Sequence, residues 1–400
     1  MVVGTTTTRA TPTASPPDSA SPFPNEDQVT ANARRTQVKE AEGGAVPAAP
    51  APVPTRRNFS SREEPWRCPT LEEAFSLRNL VASAKKCRRG VGWKRSVQSF
   101  HLNLVANCLD VQARVLDGTW RPKPGRKFRI HERGKPRTIT ACSYPDRVVQ
   151  RTLCDCILLP ALQRELIFDN GACIPGKGTS FALDRLEFHL QQHWERYGMR
   201  GGMMLFDFSK YFDRIRVGTS LQQFHELLGD RRAEQLLALC LGQGAKGGGC
   251  GLELGSQVSQ LAAVLYPSGV DHWLVDECGV RGYGRYMDDG YVLWPDWDDL
   301  WHLGRAFEER CTCLGIAMNP KKFRFVRIGE EITFLKTRFR LHADGHVERR
   351  LPAAVLRQHK RRVRRLQGLV ERGVMSLEDL ACSEASWEGV LKRTKSPASP

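Results

Sequence analysis

Three acidic residues in two short apolar segments form the clearest chemical pattern of this chain. Asp207 lies near the end of the apolar run 203–208, and Asp288 and Asp289 separate two strand-like runs. A carboxylate at the end of a buried strand is costly unless a cation meets its charge, and adjacent carboxylates repel each other. Carboxylates from two strand ends could hold two Mg²⁺ ions about 4 Å apart, which suits in-line phosphoryl displacement. A helix N-cap at Asp207 and a polar hairpin turn at 288–289 are the alternative interpretations.

The charge of the chain favours a polyanionic partner. Its 400 residues include 60 Lys and Arg against 44 Asp and Glu, which gives a net charge of +16. The simplest such partner is nucleic acid. With 41% hydrophobic residues, the sequence is neither collagen-like nor disordered throughout, and its length allows two or three packed units.

The sequence also bears on the compartment of the protein. No apolar run approaches the roughly 18 residues of a membrane-spanning helix, and the N-terminus lacks the apolar segment of a secretory signal. The thirteen cysteines are an odd number and form no Cys-x-x-Cys motif. Free thiols without a zinc site are therefore expected. Together these features predict a cytoplasmic enzyme without a membrane partner.

The elements that must position the acidic residues follow from composition and apolar spacing. Residues 1–62 are rich in Pro, Ala, Ser and Thr, which predicts a disordered arm. Helical spacing over 71–116 is followed by a basic hairpin over 121–137 and a helix over 145–166. Further elements are expected as a helix over 183–197, a strand over 203–208, a helix from about 220, and strands over 281–286 and 290–294.

A basic helix is predicted near the C-terminus, over residues 356–370. Val363, Leu366 and Val370 fall on one helical face, and the arginines lie largely away from it. Such a helix suits contact with the phosphates of a nucleic-acid duplex, and a solvated charged face is the alternative. The candidate nucleic-acid-binding residues are Arg357, Arg361, Arg364 and Arg365.

The acidic motifs resemble those of reverse transcriptases, and the resemblance extends from about residue 121 to about residue 390. Residues 286–289, Tyr-Met-Asp-Asp, resemble the metal-binding box of that family, and residues 207–213 resemble its first palm motif. The resemblance implies that the catalytic metal ligands are Asp207, Asp288 and Asp289. It also places Phe212 at the steric-gate position, facing the sugar of the incoming nucleotide.

Two basic segments resemble the triphosphate contacts of the family. Lys135 and Arg137 in the hairpin correspond to the fingers segment that contacts the incoming triphosphate, where mobile cations can meet phosphate oxygens. Residues 319–322 resemble the motif whose lysine approaches the triphosphate, and Lys322 is the matching residue; a solvated turn lysine is the alternative. Residues 334–335 match the primer-grip turn, with Lys336 where the family usually has glycine.

The segment 251–260 indicates a branch of the family. It lies where reverse transcriptases contact the templating base and the new base pair, so the resemblance assigns Leu254, Gly255 and Gln260 to the nucleotide site. Most members have a Gln-Gly pair here and a later Ser-Pro. Leu254-Gly255 followed by Ser259-Gln260 instead resembles the diversity-generating retroelement branch, although Glu253 stands where proline is usual and other bacterial branches could share the Ser-Gln variant.

A near match to a phosphate-binding loop occurs at residues 171–179. Gly178 stands where a Ser or Thr should coordinate Mg²⁺, and the preceding run is a poor strand. A fingers loop is therefore the favoured interpretation, and an ATPase site is the alternative.

The resemblance implies an α+β right-hand polymerase with fingers, palm and helical thumb. The expected divisions are a disordered arm at 1–62, N-terminal helices and fingers at 63–199, a palm at 200–350, and a thumb and tail at 351–400. The implied reaction is RNA-templated DNA synthesis, in which a primer 3′-hydroxyl attacks the α-phosphate of a dNTP. Two Mg²⁺ ions are the implied cofactors, and Mn²⁺ could replace them.

The implied partners are a template RNA, a DNA or RNA primer, dNTPs and a small basic helical accessory protein. The branch further implies error-prone copying, with errors concentrated at template adenines. A retron or phage-defence reverse transcriptase is an alternative within the family. A catalytically idle RNA-binding protein on a polymerase scaffold is the alternative outside it.

Overall fold

The structure is a computed structural model that describes residues 67–132, 135–242, 249–392 and residue 394. The predicted disordered arm, residues 1–62, lies outside these ranges.

Four helices open the described chain and confirm the helical spacing over 71–116. They are α1 (Leu71–Ala74), α2 (Leu77–Arg88), α3 (Arg95–Leu102) and α4 (Leu104–Leu116). A capping box begins α1, because the Thr70 hydroxyl accepts a hydrogen bond from the Glu73 amide and the Glu73 carboxylate accepts one from the Thr70 amide.

A long hairpin and a bent helical segment come next. Strands β1 (Arg126–Glu132) and β2 (Lys135–Ala141) pair antiparallel over their full lengths, so the predicted basic hairpin is confirmed. The predicted helix over 145–166 is also found, but in three parts. These are α5 (Tyr144–Leu153), a π-helical turn (Cys154–Leu158) and α6 (Leu159–Glu165).

A four-stranded antiparallel sheet carries the acidic residues. Its strands are β3 (Gly202–Asp207), β4 (Gly282–Tyr286), β5 (Asp289–Trp294) and β6 (Arg324–Arg327), in the order β4-β5-β3-β6. All six residues of β3 are buried, as are the four inner residues of β5. Strands buried on both faces have continuous apolar sequences rather than alternating ones, which explains the apolar runs around Asp207 and Asp289.

One long helix packs against this sheet and a second, smaller one. The helix is α7 (Thr179–Tyr197), and the second sheet contains β7 (Ile332–Phe334), β8 (Thr337–Leu341) and β9 (Val347–Arg350) in that order. Leu186 and Leu190 of α7 share one core cluster with Leu205, Leu293 and Phe339. Burial of apolar surface stabilises a fold by about 25 cal/mol per Å². This cluster therefore stabilises the two strands whose ends bear the carboxylates.

The remaining helices complete the α+β fold that the sequence predicts. They are α8 (Tyr211–Arg214), α9 (Val217–Leu228), α10 (Arg231–Gly242), α11 (Gln257–Leu265), α12 (Ser268–His272) with a π-helical turn (Trp273–Glu277), α13 (Trp297–Cys313), α14 (Ala353–Glu371) and α15 (Leu377–Lys392). Helix α14 confirms the predicted basic helix. Of its apolar stripe, Leu366 is buried, whereas Val363 and Val370 are half-buried.

The turn between β7 and β8 accommodates Lys336 at the usual position of glycine. Phe334 pairs with Thr337, so the turn has two residues, and both have positive φ: 44° at Leu335 and 66° at Lys336. Positive φ at both positions is what a type I′ hairpin turn requires. The turn therefore forms without glycine, although lysine meets a steric cost in this conformation.

Within the described ranges, no helix combines the length and apolar character that a membrane span requires. All thirteen cysteines are free thiols, as the sequence predicts.

Candidate active site

A cleft of about 2180 Å³ opens over the ends of β3 and β5. Its walls come from the β1–β2 hairpin, the loop before α11, the two β-hairpin turns and the helices α14 and α15. Several cations that the sequence analysis did not propose as ligand contacts also line it, namely Lys127, Lys210, Lys321, Arg324, Lys336 and Arg362. Such a lining suits a polyanionic ligand.

The structure brings the three predicted carboxylates together at this cleft. Asp207 ends β3 directly opposite Asp289 of β5, and Asp288 lies in the two-residue turn between β4 and β5. The amide of Phe208 donates a hydrogen bond of 3.0 Å to the Asp288 carbonyl, which ties that turn to the end of β3. All three carboxylates line the cleft.

Lys322 reaches the same carboxylates. Its Nζ contacts Asp207 Oδ2 and lies 3.2 Å from Asp289 Oδ1. Asn319 supports this arrangement, because its Nδ2 donates to Asp207 Oδ1 at 2.8 Å and its amide donates to the Asp207 carbonyl at 2.8 Å. In the part of the chain that the structure describes, no group of three His, Cys, Asp or Glu side chains converges as a metal site. In this arrangement the Lys322 ammonium meets two of the three carboxylates instead.

The electrostatics of the site reflect the crowding of its acids. Burial raises the pKa of Asp288, and the nearby Asp207 charge raises it further. Burial and closeness to the Asp207 carboxylate raise the pKa of Asp289 to about 6, although the Lys322 charge opposes this rise. Burial acts to lower the pKa of Lys322, but its hydrogen bond to Asp207 and the charges of Asp289 and Asp207 raise it overall. Burial and the neighbouring acids therefore both disfavour the ionised forms of Asp288 and Asp289.

A buried ion pair that the sequence analysis missed supports the acidic turn. Arg285 is only 1% exposed, and its Nη1 donates to the Met287 carbonyl at 3.0 Å, while its Nη2 donates to the Val264 carbonyl at 2.8 Å. Its Nε lies 2.9 Å from Asp271 Oδ1, and the Tyr283 hydroxyl donates to the same oxygen. Met287 has a φ of 57°, which residues other than glycine rarely adopt. The hydrogen bond from Arg285 to the Met287 carbonyl stabilises this conformation.

Phe212 lies in α8, immediately beyond the Asp207 strand. Its half-buried ring lines the cleft, and its carbonyl accepts a hydrogen bond of 2.8 Å from the Leu252 amide. The adjacent Tyr211 is buried, and its hydroxyl donates a hydrogen bond of 2.6 Å to the Ala263 carbonyl. These contacts connect α8 with α11 and with the loop before it, and they position the Phe212 ring at the cleft wall.

The candidate nucleotide-site residues of the 251–260 segment separate in space. Leu254 lines the cleft, and its carbonyl accepts a hydrogen bond of 3.0 Å from the Thr140 amide of β2. Gly255 has a φ of 107°, and a Cβ there would lie 2.8 Å from the Thr140 carbonyl oxygen, so only glycine fits. Gln260 is exposed on α11 and does not line the cleft, because the helix turns it away.

The remaining candidates fall into two groups. Arg137, Arg361 and Arg365 line the cleft, whereas the exposed Arg357 and Arg364 lie outside its lining. The helical repeat explains this split, since positions 357 and 364 point roughly 120–140° away from the centre of the cleft-facing side of α14. The side chain of Lys135 lies outside the described residues.

A stacked pair joins the two C-terminal helices at the cleft wall. The rings of His359 in α14 and Trp387 in α15 lie 3.8 Å apart with an interplanar angle of 6°, and both line the cleft. The sequence analysis did not single out this pair. Its members are 28 positions apart, so the local pattern holds no signal for their contact.

Comparison with known proteins assigns the family. Residues 121–339 match the family described as reverse transcriptase (RNA-dependent DNA polymerase), a class of nucleotidyltransferases. The match covers more than half of the chain, and the chain belongs to this family.

A structural comparison and a search of curated proteins complete the picture. The fold is similar to telomerase from Candida albicans, solved with the TWJ fragment of telomeric RNA, at 12% identity and a TM-score of 0.45. The similarity covers 57% of this chain and 45% of the telomerase chain, so the chain spans less than half of that protein's matched chain. No curated protein matches the chain.

Proposed function

We propose that the protein is an RNA-directed DNA polymerase that makes cDNA by two-metal phosphoryl transfer. The observation that supports this most directly is that Asp207, Asp288 and Asp289 all line one cationic cleft, with Asp207 directly opposite Asp289. Membership of the reverse transcriptase family supplies the reaction class. The expected divisions into arm, fingers, palm and thumb are part of this proposal.

The donor atoms of the site fit divalent cations. Carboxylate oxygens are the ligands that Mg²⁺ and Mn²⁺ prefer, and Asp207, Asp288 and Asp289 offer them along one cleft. In the proposed mechanism Asp207 and Asp288 would hold the metal ions, and Asp289 would support the site. Bound there, the ions would supply activation of the primer hydroxyl and charge neutralisation at the transferred phosphoryl group.

The chain's own residues have three further roles in this mechanism. Arg137 and Lys322 meet the triphosphate oxygens, and the half-exposed Lys322 side chain is free to move from the carboxylates to the phosphate. Phe212 packs under the 2′ position of the sugar. Arg361 and Arg365 contact the phosphates of the template–primer duplex.

We further propose that the template belongs to a diversity-generating retroelement and that copying is error-prone. The support is Leu254, which lines the cleft where most family members have a glutamine. An apolar side chain cannot hydrogen-bond to the incoming nucleotide, so it selects less strictly between correct and mispaired geometries. A small basic helical accessory protein belongs to this part of the proposal.

The test is primer extension by the full-length protein on an RNA template with dNTPs and Mg²⁺. Extension should occur, stop on addition of EDTA and return with excess Mg²⁺. Sequencing the cDNA made from co-purified RNA then identifies the branch. Errors concentrated at template adenines support the diversity-generating assignment, whereas accurate copying of a self-priming structured RNA would favour a retron. RNA binding without any extension would support the catalytically idle alternative.

A further inference from the structure

An exposed group of large apolar side chains lies on the N-terminal helices, outside the lining of the cleft. The exposed fractions are 75% at Trp93, 83% at Leu102, 54% at Val105 and 46% at Leu109. Leu102 ends α3, and Val105 and Leu109 lie one turn apart on the side of α4 away from its buried residues. A contiguous apolar surface of this kind marks an interaction site.

This surface belongs to a stretch of the chain without acidic residues. Residues 74–109 contain seven Lys and Arg and no Asp or Glu. Arg95 lies on the same face of α3 as Leu102, because seven residues make about two full helical turns. Within the described ranges its exposed side chain makes no hydrogen bond or ion pair, and the neighbouring Lys94 Nζ lies 5.5 Å from the Trp93 ring centroid. We call the combined surface the basic patch, formed by Trp93, Lys94, Arg95, Leu102, Val105 and Leu109.

Helix α15 has the opposite charge. It contains four Asp and Glu against one Lys, and none of its sixteen residues is buried. The stack of Trp387 on His359 shows which side of α15 faces α14. The side turned away from α14 carries exposed apolar and acidic residues, and we call it the acidic face: Leu377, Glu378, Ala381, Ala385 and Glu388.

The acidic face and the basic patch are complementary. Leu377 is 72% exposed, and neither Glu378 nor Glu388 has an ion pair or a hydrogen bond from its side chain in the part of the chain that the structure describes. Each surface therefore offers apolar side chains beside unpaired charges, which are negative on α15 and positive on the N-terminal helices. Because both surfaces remain exposed, they do not cover each other within one chain.

We propose that the acidic face of one copy of this chain docks on the basic patch of a second copy. The apolar side chains of both surfaces would leave water, and the two glutamates of the acidic face would meet the two cations of the basic patch. At physiological ionic strength, repulsion between molecules of net charge +16 is screened beyond about 8 Å, whereas charges in close contact still attract.

The proposed contact is heterologous, since it joins two different surfaces. Each copy can hold the next one, so the contact generates a ring or an open chain of copies rather than a closed two-fold dimer. Neither surface contains a residue that lines the cleft, so the contact does not use the candidate active site.

Sedimentation velocity of the full-length protein without nucleic acid measures this self-association, at about 0.15 M salt. The mean mass of wild type should rise with protein concentration beyond that of a dimer. Glu378→Lys/Glu388→Lys reverses the charge of the acidic face. Lys94→Glu/Arg95→Glu reverses that of the basic patch. Each variant should self-associate at least about tenfold more weakly than wild type, because like charges then face each other.

Mixing the two variants tests the pairing itself. The first variant keeps its basic patch and the second keeps its acidic face, so an equimolar mixture should form a dimer and nothing larger. A protein with all four reversals should regain self-association, because every charge again meets its opposite. Both results require folded proteins, so they separate loss of the contact from loss of the fold.

A matched control changes the same number of charges elsewhere. Glu195→Lys/Glu226→Lys reverses two exposed acids on α7 and α9, outside both surfaces. This variant should self-associate like wild type. Equal weakening in the control would show that net charge, rather than the acidic face, governs the association.

Two further results would overturn the inference. One is a wild-type protein that stays monomeric at every concentration at which it is soluble, which would assign the basic patch to an acidic partner other than this chain. The other is a mixture of the two variants that forms no dimer. None of these measurements involves primer extension, so their outcome is independent of the test of the proposed polymerase function.

Discussion

At the scale of single residues, Asp288 separates catalysis from binding. Asp288→Asn keeps the size of the side chain but removes a charge needed to hold Mg²⁺, while affinity for nucleic acid comes from the basic surface. We expect primer extension to fall below about a tenth of wild type and the Kd for RNA to stay within about twofold. Asp110→Asn, on the exposed face of α4, is the matched control. Extension above that limit would contradict the role of Asp288.

Phe212 is expected to control sugar selection. Its ring lies in the short helix that follows the Asp207 strand, and it lines the cleft. There it would clash with the 2′-hydroxyl of a ribonucleotide but leave room for the 2′-hydrogen of a deoxyribonucleotide. Phe212→Ala should therefore increase the use of ribonucleotides relative to deoxyribonucleotides, measured as the ratio of kcat/KM values. Phe128→Ala, which removes an exposed ring of β1 outside the cleft lining, should leave this ratio unchanged. An unchanged ratio in Phe212→Ala would make the ring an ordinary packing residue.

Leu254 is expected to control fidelity. A glutamine amide can hydrogen-bond near the incoming nucleotide, and the discrimination that leucine gives up is about 1–2 kcal/mol, roughly one hydrogen bond. Leu254→Gln should lower misincorporation, most clearly opposite template adenine, while extension continues. Leu254→Met, which adds no amide, should not. Deep sequencing of cDNA copied from one RNA template by each form measures the misincorporation spectrum. Identical spectra would show that Leu254 does not determine fidelity.

At the scale of elements, the buried Arg285–Asp271 pair positions the β4–β5 turn. Arg285→Lys keeps one charge but loses the planar fork that reaches Met287, Val264 and Asp271 together. Damage to a buried pair costs about 3–5 kcal/mol, and here the turn loses its support as well. We expect a higher Mg²⁺ concentration for half-maximal extension, together with a lower melting temperature.

A second buried ion pair gives the control for this prediction. Arg349 of β9 pairs with Glu187 and Asp184 of α7, so this pair joins the smaller sheet to the long helix. Arg349→Lys should lower the melting temperature but leave the Mg²⁺ requirement unchanged. If both variants shifted the Mg²⁺ requirement equally, Arg285 would have only a general structural role.

The elements that sequence predicts well are those whose signal is local. The hairpin β1–β2 and the helix α14 follow from apolar spacing and turn residues, and both were found where expected. Arg285 and Asp271 gave no such signal. They are 14 positions apart and become ion-pair partners only when α12 and β4 come together in the fold. Gln260 shows the limit of a motif position, since it is exposed on α11 and outside the cleft lining, and its predicted nucleotide contact stays a prediction.

At the scale of the whole molecule, we expect the cations behind the net charge of +16 to contribute unequally to nucleic-acid binding. Of four candidate arginines on α14, Arg361 and Arg365 line the cleft, whereas Arg357 and Arg364 lie outside its lining. All four are exposed, so each pair can be replaced without damage to the core. The helix thus provides two charge-matched double variants that differ only in the side of α14 they change.

The salt dependence of duplex binding should distinguish these two variants. Removal of one cation that meets a phosphate reduces the slope of log Kd against log salt by about one. Arg361→Gln/Arg365→Gln should therefore lower the slope for a template–primer duplex by about two, whereas Arg357→Gln/Arg364→Gln should change it little, because long-range attraction is screened beyond about 10 Å at 0.1 M salt. Anisotropy titrations between about 50 and 200 mM salt measure both slopes. Equal reductions in the two variants would show that the duplex responds to the total charge of the molecule rather than to the cleft-facing side of α14.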